Sequence, residues 1–209
     1  MPGAIGNSDY GRQHRGTLYV VGSAPCALDD LAEARRLGRI HGWRGRIMAI
    51  NEAAALIRAD FIASLHPEHM ARFRKLQQQM FPDSRFTTHA AAPDAYAEAV
   101  DFYWRDAHSG ATSAFCGVKI GQMMGFTRII LCGCPMTGGD GYAVNTRPSR
   151  DAPRFGFCNP VSSVVRSHRH ALDDEAKTSW AKGVYSMSGY SREVLGAPPE
   201  CNEQIQEAG

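Results

Sequence analysis

Short apolar runs alternate with stretches of helical period along this chain. Residues 18–22, 47–50, 60–65 and 128–132 read as strands. The unbroken Ile129-Ile130-Leu131-Cys132 suits a central parallel strand buried on both faces. Residues 85–88 form a weaker strand, and 184–187 a final one. Residues 27–37, 52–58, 67–79, 93–104, 111–124 and 171–180 read as helices. Asp29 and Asp30 fall in a first turn, where carboxylates suit the helix dipole, and Pro67 suits a helix start. Ser188 stands where a cap opens a short last turn over 190–195. Strand and helix in alternation predict an α/β fold with a doubly wound, mostly parallel sheet.

Gly117, Gly121 and Gly125 recur along one predicted helix, a spacing that lets its backbone lie close to the sheet. Residues 133–160 have no period and read as a long functional loop that closes over a ligand. A single domain over residues 17–196 is expected, with flexible tails over 1–16 and 197–209.

The bulk composition narrows the function classes. A chain of 209 residues supports one sizeable core. A formal net charge of +2 argues against nucleic acid as a partner but leaves room for a local basic patch. There is no apolar run long enough for a membrane span, and the polar N-terminal stretch does not read as a signal peptide. The six cysteines form no CxxC pair, which points to reduced, buried thiols and a cytoplasmic setting. The spacing of Cys132 and Cys134 is wrong for the common zinc sites, so no metal site is expected.

The candidate chemistry lies at strand ends. Gly22-Ser23-Ala24-Pro25 joins a strand to a helix, where glycine and helix-start amides can hold a phosphate; a tight turn explains the same residues. Asn51 follows the second strand, as a reader of base or ribose or as a helix cap. His66-Pro67-Glu68-His69 reads as a strand-tip loop. Ser109 and Gly110 precede a helix start, as phosphate ligand or cap. Gly138-Gly139-Asp140-Gly141-Tyr142 implies special backbone angles near a ligand, with Tyr142 as a hydroxyl donor. Residues 147–170 carry Arg147, Arg150, Arg154, Arg166 and Arg169 against Asp151 alone, five minus one or +4. That is either a solvated basic loop or a phosphate clamp, with His168 and His170 as candidate bases.

The order of these pieces resembles the bacterial sialyltransferases that modify lipooligosaccharide, and the related group containing hydroxymethylpterin pyrophosphokinase. The pieces are a strand with Gly-Ser-Ala-Pro, a strand with Asn51, a strand with His-Pro, and Ser-Gly before a helix. Gly-Phe-Thr-Arg-Ile-Ile-Leu-Cys-Gly and a glycine-rich loop with Tyr-Ala follow. The resemblance implies a Rossmann-like sheet. It implies that Gly22, Ser23, Asn51, Ser109 and Gly110 lie at the nucleotide, that Tyr142 helps the nucleotide phosphate leave, and that a later histidine, His168 or His170, is the base; Gly139, from the glycine-rich loop itself, is expected beside the same nucleotide. Residues 184–196 are similar to segments of prophage-encoded proteins.

The leading expectation is therefore a metal-independent, glycosyltransferase-like enzyme. Its substrate is a nucleotide-sugar donor of CMP type, and no cofactor is tightly bound. A pyrophosphokinase-like phosphotransferase using ATP is the first alternative; here Gly133 is followed by Cys134-Pro135 rather than by an acid. A non-catalytic nucleotide-binding viral protein is the second. The partner class is a small-molecule nucleotide, and the sequence is compatible with a homo-oligomer.

Overall fold

The computed structural model describes residues 4–5, 14–91, 99–107, 112–137 and 163–198, the first pair as backbone alone. Within them one sheet runs β1 (Ala4–Ile5), β6 (Phe102–Tyr103), β5 (Thr87–Ala90), β4 (Phe61–Ser64), β3 (Gly45–Ile50), β2 (Thr17–Val21), β7 (Arg128–Cys132) and β8 (Val184–Ser186). Every pairing is parallel. β2 and β7 are in register from Thr17 opposite Arg128 to Val21 opposite Cys132. They lie third and second from the β8 edge of the sheet, and β2 is buried along its whole length.

Alternation along β2 shows how both faces are covered. Tyr19 and Val21 join Leu31 and Leu37 of α1 (Ala27–Ile40) and Met70 and Phe73 of α2 (Met70–Met80) in one core. Leu18 and Val20 join Phe115 and Ile120 of α3 (Ser113–Met123) and Leu172 of α4 (Ser163–Glu175) in the other. The chain moves one way from β2 through β3, β4 and β5 to β6, then returns past β2 to β7 and on to β8. Right-handed crossovers place helices on opposite faces when that direction reverses, and α1 and α4 do lie on opposite faces. The reversal falls between β2 and β7. A short α5 (Gly189–Leu195) closes the described fold.

Two of the three spaced glycines behave as expected. A Cβ at Gly117 would come within 2.6 Å of Ile50 Cδ1, and one at Gly121 within 2.4 Å of Leu18 Cδ2. Gly125 has another role. Its φ is +96°, its N–H donates to Gln122, and Phe126 N–H donates to Gly121. This is the glycine-terminated helix end in which two late amides cap two orphan carbonyls.

Three sequence-based elements need correction. Residues 93–104 were expected to be helical, but Phe102–Tyr103 is a strand, with residues 92–98 outside the described set. Tyr103 and Trp104 become buried as β6 pairs between β5 and β1, which outweighs the helical spacing of Tyr96, Val100 and Tyr103. β5 begins at Thr87 rather than at Arg85. Its Thr-Thr-His-Ala carries little apolar signal, because its buried polar groups are satisfied by bonds. Thr88 exchanges hydrogen bonds with Asp101, and the Trp104 indole donates to His89 Nδ1 at 3.1 Å. Finally, α4 begins at Ser163 rather than near Ala171, so the basic stretch is partly helix. Within the stretch read as an N-terminal tail, Ala4–Ile5 pairs with β6, and the His14 ring stacks on Phe126 at 5.2 Å.

Candidate functional site

In doubly wound sheets, ligands bind beyond the carboxyl ends of the strands, where the winding reverses. Here that place lies between the tips of β2 and β7. Gly22 follows β2 and donates its N–H to Cys132 O at 2.8 Å; Ala24 N–H donates to Gly133 O at 3.2 Å. A Cβ at Gly22 would meet Gly133 O at 2.4 Å and Cys134 Sγ at 2.6 Å. Gly22 is thus required by the close approach of two strand tips. Its amide and that of Ala24 are occupied within the protein. Ser23, in the turn between them, is half-buried.

Asp30 ties this wall together. Its Oδ2 accepts from Gly133 N–H at 2.8 Å and from the Ser188 hydroxyl at 2.6 Å. One carboxylate in the first turn of α1, the helix that follows β2, therefore joins the tips of β7 and β8. Ser188 occupies the N-cap position of α5 but makes no side-chain cap bond; its hydroxyl serves Asp30 instead. Cys26 Sγ lies 3.5 Å from Ser188 Oγ, and burial raises its pKa. Burial pushes the Cys134 thiol up to about 12 and holds the Cys132 thiol well above the ordinary range, so all three are protonated at neutral pH. These groups were not selected from sequence. The acid in the first turn of α1 was the available signal for Asp30, but its partners are distant in the chain.

The segment after β7 is equally held. Ser191 donates through its hydroxyl to Cys134 O at 2.7 Å and through its amide to Pro135 O at 3.4 Å. Arg169 Nε donates to Met136 O at 2.8 Å, and its guanidinium lies 4.5 Å from the centre of the Tyr190 ring. The Tyr190 hydroxyl donates to Asp173 at 2.6 Å. Met136 itself sits at φ +51°.

The tip of β3 is different. Asn51 has a left-handed backbone, φ +52°, directly after the strand. Its Oδ1 is buried and has no hydrogen-bond partner. The N-cap position before the following 3-10 turn belongs to Ile50, and no side chain caps that turn, so the cap explanation of Asn51 fails. Behind it, Glu52 is buried, with Arg72 Nη2 at 3.7 Å.

Beyond β4, His66 is exposed and its Nδ1 lies 3.4 Å from Glu68, the ordinary strand-tip loop that was expected. The helix start facing it is capped by Thr112, whose hydroxyl accepts from Phe115 N–H at 3.2 Å. Ser113 Oγ accepts from Leu65 N–H at 3.2 Å, which joins α3 to the β4 tip. Ser109, Gly110, Gly139 and Tyr142 lie outside the described residues, as do Arg147, Arg150 and Arg154 and most of the expected lid.

The two histidines separate. His170 is exposed, with Nε2 at 3.7 Å from Asp174 on the outer side of α4. His168 is half-buried and sits four residues before the fully buried Leu172, on the inward face of the helix. Burial lowers its pKa, so it is neutral at neutral pH. Among the described residues no group of three or more His, Cys, Asp or Glu could hold a metal ion, and no helix is long and apolar enough to cross a membrane.

No protein-family model and no curated protein sequence matches the chain. Solved structures do match in fold. The chain is similar to the monofunctional alpha-2,3-sialyltransferase Cst-I from Campylobacter jejuni, with TM-score 0.61 and 13% identity over 89% of this chain and 80% of that one. It is similar to the sialyltransferase CstII from Campylobacter jejuni in complex with the substrate analogue CMP-3FNeuAc, with TM-score 0.57 and 13% identity over 90% and 88%. A third likeness is to the MAf glycosyltransferase from Magnetospirillum magneticum AMB-1, with TM-score 0.51 and 17% identity over 85% of this chain and 33% of that one. The chain thus has an α/β fold shared with glycosyltransferases.

Proposed function

We propose that this protein is a glycosyltransferase-like enzyme that binds a nucleotide-activated sugar of CMP type at the β2–β7 switch point. The observation that carries the reading is Asn51: a strained residue at a strand tip, beside the switch point, with a buried and unpartnered carbonyl oxygen. An acceptor in that state calls for a ligand donor, such as an exocyclic amine or a ribose hydroxyl. The fold shared with a sialyltransferase complexed to a CMP-sugar analogue supports the donor class.

In this reading Ser23 and Asn51 contact the nucleotide, and Gly22 lets the tips of β2 and β7 close together beside it. Ser109, Gly110 and Gly139 complete the phosphate contacts. Tyr142 donates to the leaving phosphate, an electrostatic role. His168 removes the acceptor proton; its inward position and lowered pKa keep it unprotonated, as a base requires. No step uses a metal. His170, paired with Asp174 on the outer face, has no part in it.

One observation favours a second reading, binding without turnover. Among the described residues no group lies within hydrogen-bond distance of the His168 ring to orient it, unlike the oriented bases of many transferases. Incubation with CMP-activated sugar separates the readings. Release of CMP, abolished in His168→Ala, is expected for the enzyme. A thermal shift with CMP and no release supports the binding protein, and no shift with CMP, UDP or GDP excludes both.

A further inference from the structure

Arg169 is the best-oriented cation near the switch point, and none of the ordinary structural roles uses all of it. Its Nε is fixed on Met136 O, at the root of the segment that follows β7. Its guanidinium plane rests on the Tyr190 ring. Tyr190 is itself fixed, its hydroxyl donating to Asp173. The plane of the guanidinium is therefore set from two sides. Among the described residues no carboxylate lies within ion-pair distance of it, and its Nη1 and Nη2 have no partner. A half-buried arginine with two free parallel donors has the fork geometry that matches phosphate oxygens.

The surroundings favour an anion there. The first two turns of α4, at the end of the helix beside the strand tips, contain Arg166 and Arg169 and no acid. The acids of that helix, Asp173, Asp174 and Glu175, lie in its last turns, and Glu175 is already paired with Lys119 at 3.0 Å. Met136 is held at φ +51° with its carbonyl on Arg169. The left-handed turn at Met136 and the arginine thus fix each other, four residues beyond the β7 tip.

We infer that Arg169, braced by Met136 O and by the Tyr190 ring, is the phosphate-binding residue of the site, contacting the donor's phosphate through Nη1 and Nη2. This rests on the nucleotide-binding reading above and names the charge that reading lacks among the described residues. Braced from behind, the guanidinium loses little freedom when it binds, so its contribution exceeds that of a surface arginine. Arg166 is exposed and serves as the internal comparison, since it adds the same charge to the same helix without a brace.

The test uses the full chain and three ligands by calorimetry and thermal shift: CMP, cytidine and inorganic pyrophosphate. Wild type is expected to prefer CMP over cytidine. Arg169→Gln should weaken CMP about tenfold to a hundredfold while leaving cytidine unchanged. Arg169→Lys, which keeps the charge and loses the fork, should recover only part of this. Arg166→Gln should change CMP binding about threefold or less. Circular dichroism and the unligated Tm confirm that each variant folds; should Arg169→Gln fail to fold, Arg169→Lys and Tyr190→Phe carry the comparison, the latter freeing the ring from Asp173.

The outcomes are distinguishable. Equal losses in Arg166→Gln and Arg169→Gln mean a diffuse positive field and overturn the proposal. An unchanged ratio of CMP to cytidine affinity in Arg169→Gln also overturns it. If wild type binds no nucleotide, the proposed function fails, and pyrophosphate then decides for Arg169 alone. Protection by pyrophosphate that is lost in Arg169→Gln supports an anion site, and no protection overturns it.

Discussion

The two sides of the switch point are finished in opposite ways. On the β7–β8 side, the polar groups at the strand tips have partners. Asp30 takes two donors, Ser191 supplies two, and Arg169 holds the Met136 carbonyl. On the β3 side, Asn51 keeps a left-handed backbone and a buried oxygen without a bond. Most buried polar groups in folded proteins have partners; Gln77 also lacks them, but Asn51 adds a left-handed backbone at a strand tip. A tightly bonded wall beside an unsatisfied acceptor suits the binding role proposed above, in which rigidity on one side sets the position of what the other side reads.

The largest effect should come from disturbing the wall. Gly22→Ala places a methyl group against Gly133 O and Cys134 Sγ, where the obstruction includes backbone. A loss of about 3 kcal/mol in urea denaturation is expected, and a loss below about 1 kcal/mol would mean that the tips are less closely joined than described. Asp30→Ala removes the acceptor of two donors and should cost about 2 kcal/mol. Ser188→Ala should cost about 1 kcal/mol, and the double variant should cost less than the sum, since both remove one bond.

Acid should weaken the far side of the sheet first. His89 is fully buried, and desolvation, outweighing the raising effect of Asp101, lowers its pKa to about 3. The indole of Trp104 donates to Nδ1, so Nε2 carries the proton and donates to Thr87 Oγ1 at 2.8 Å. A histidine depressed in this way stabilises the fold fully above its unfolded value of 6.5 and loses that contribution as pH falls toward 3. Stability should fall by about 1.4 kcal/mol per pH unit through much of that window. The slope should flatten in His89→Gln, measured by unfolding between pH 7 and pH 4. An unchanged slope would place the acid sensitivity elsewhere.

The architecture was legible wherever apolar runs were long. β2, β3 and β7 and the doubly wound order follow from alternation and from buried Ile-Ile-Leu-Cys. What the sequence hid was polar and distant. β5 is buried through threonine and histidine bonds that no periodicity reveals. β6 is a short strand between β5 and β1 whose Phe-Tyr-Trp also fits a helix period. Of the candidate site, the strand-end positions of Gly22, Ser23 and Asn51 were legible because the apolar runs stop there. Arg169 was legible only as one of five arginines in a solvated loop or phosphate clamp; its hold on Met136, and the bonds of Asp30 to Gly133 and Ser188, were hidden because those partners lie far along the chain.

The smallest change in stability should accompany the most informative change in binding. Asn51→Gly relieves a strained backbone and removes an unsatisfied buried oxygen, so unfolding stability should change by less than about 1 kcal/mol. Calorimetric titration of CMP into wild type and Asn51→Gly therefore tests the central claim most directly. The account predicts saturable binding to wild type and affinity lower by about tenfold or more in a variant of unchanged Tm. No binding to wild type, or equal affinity in the two proteins, would contradict it.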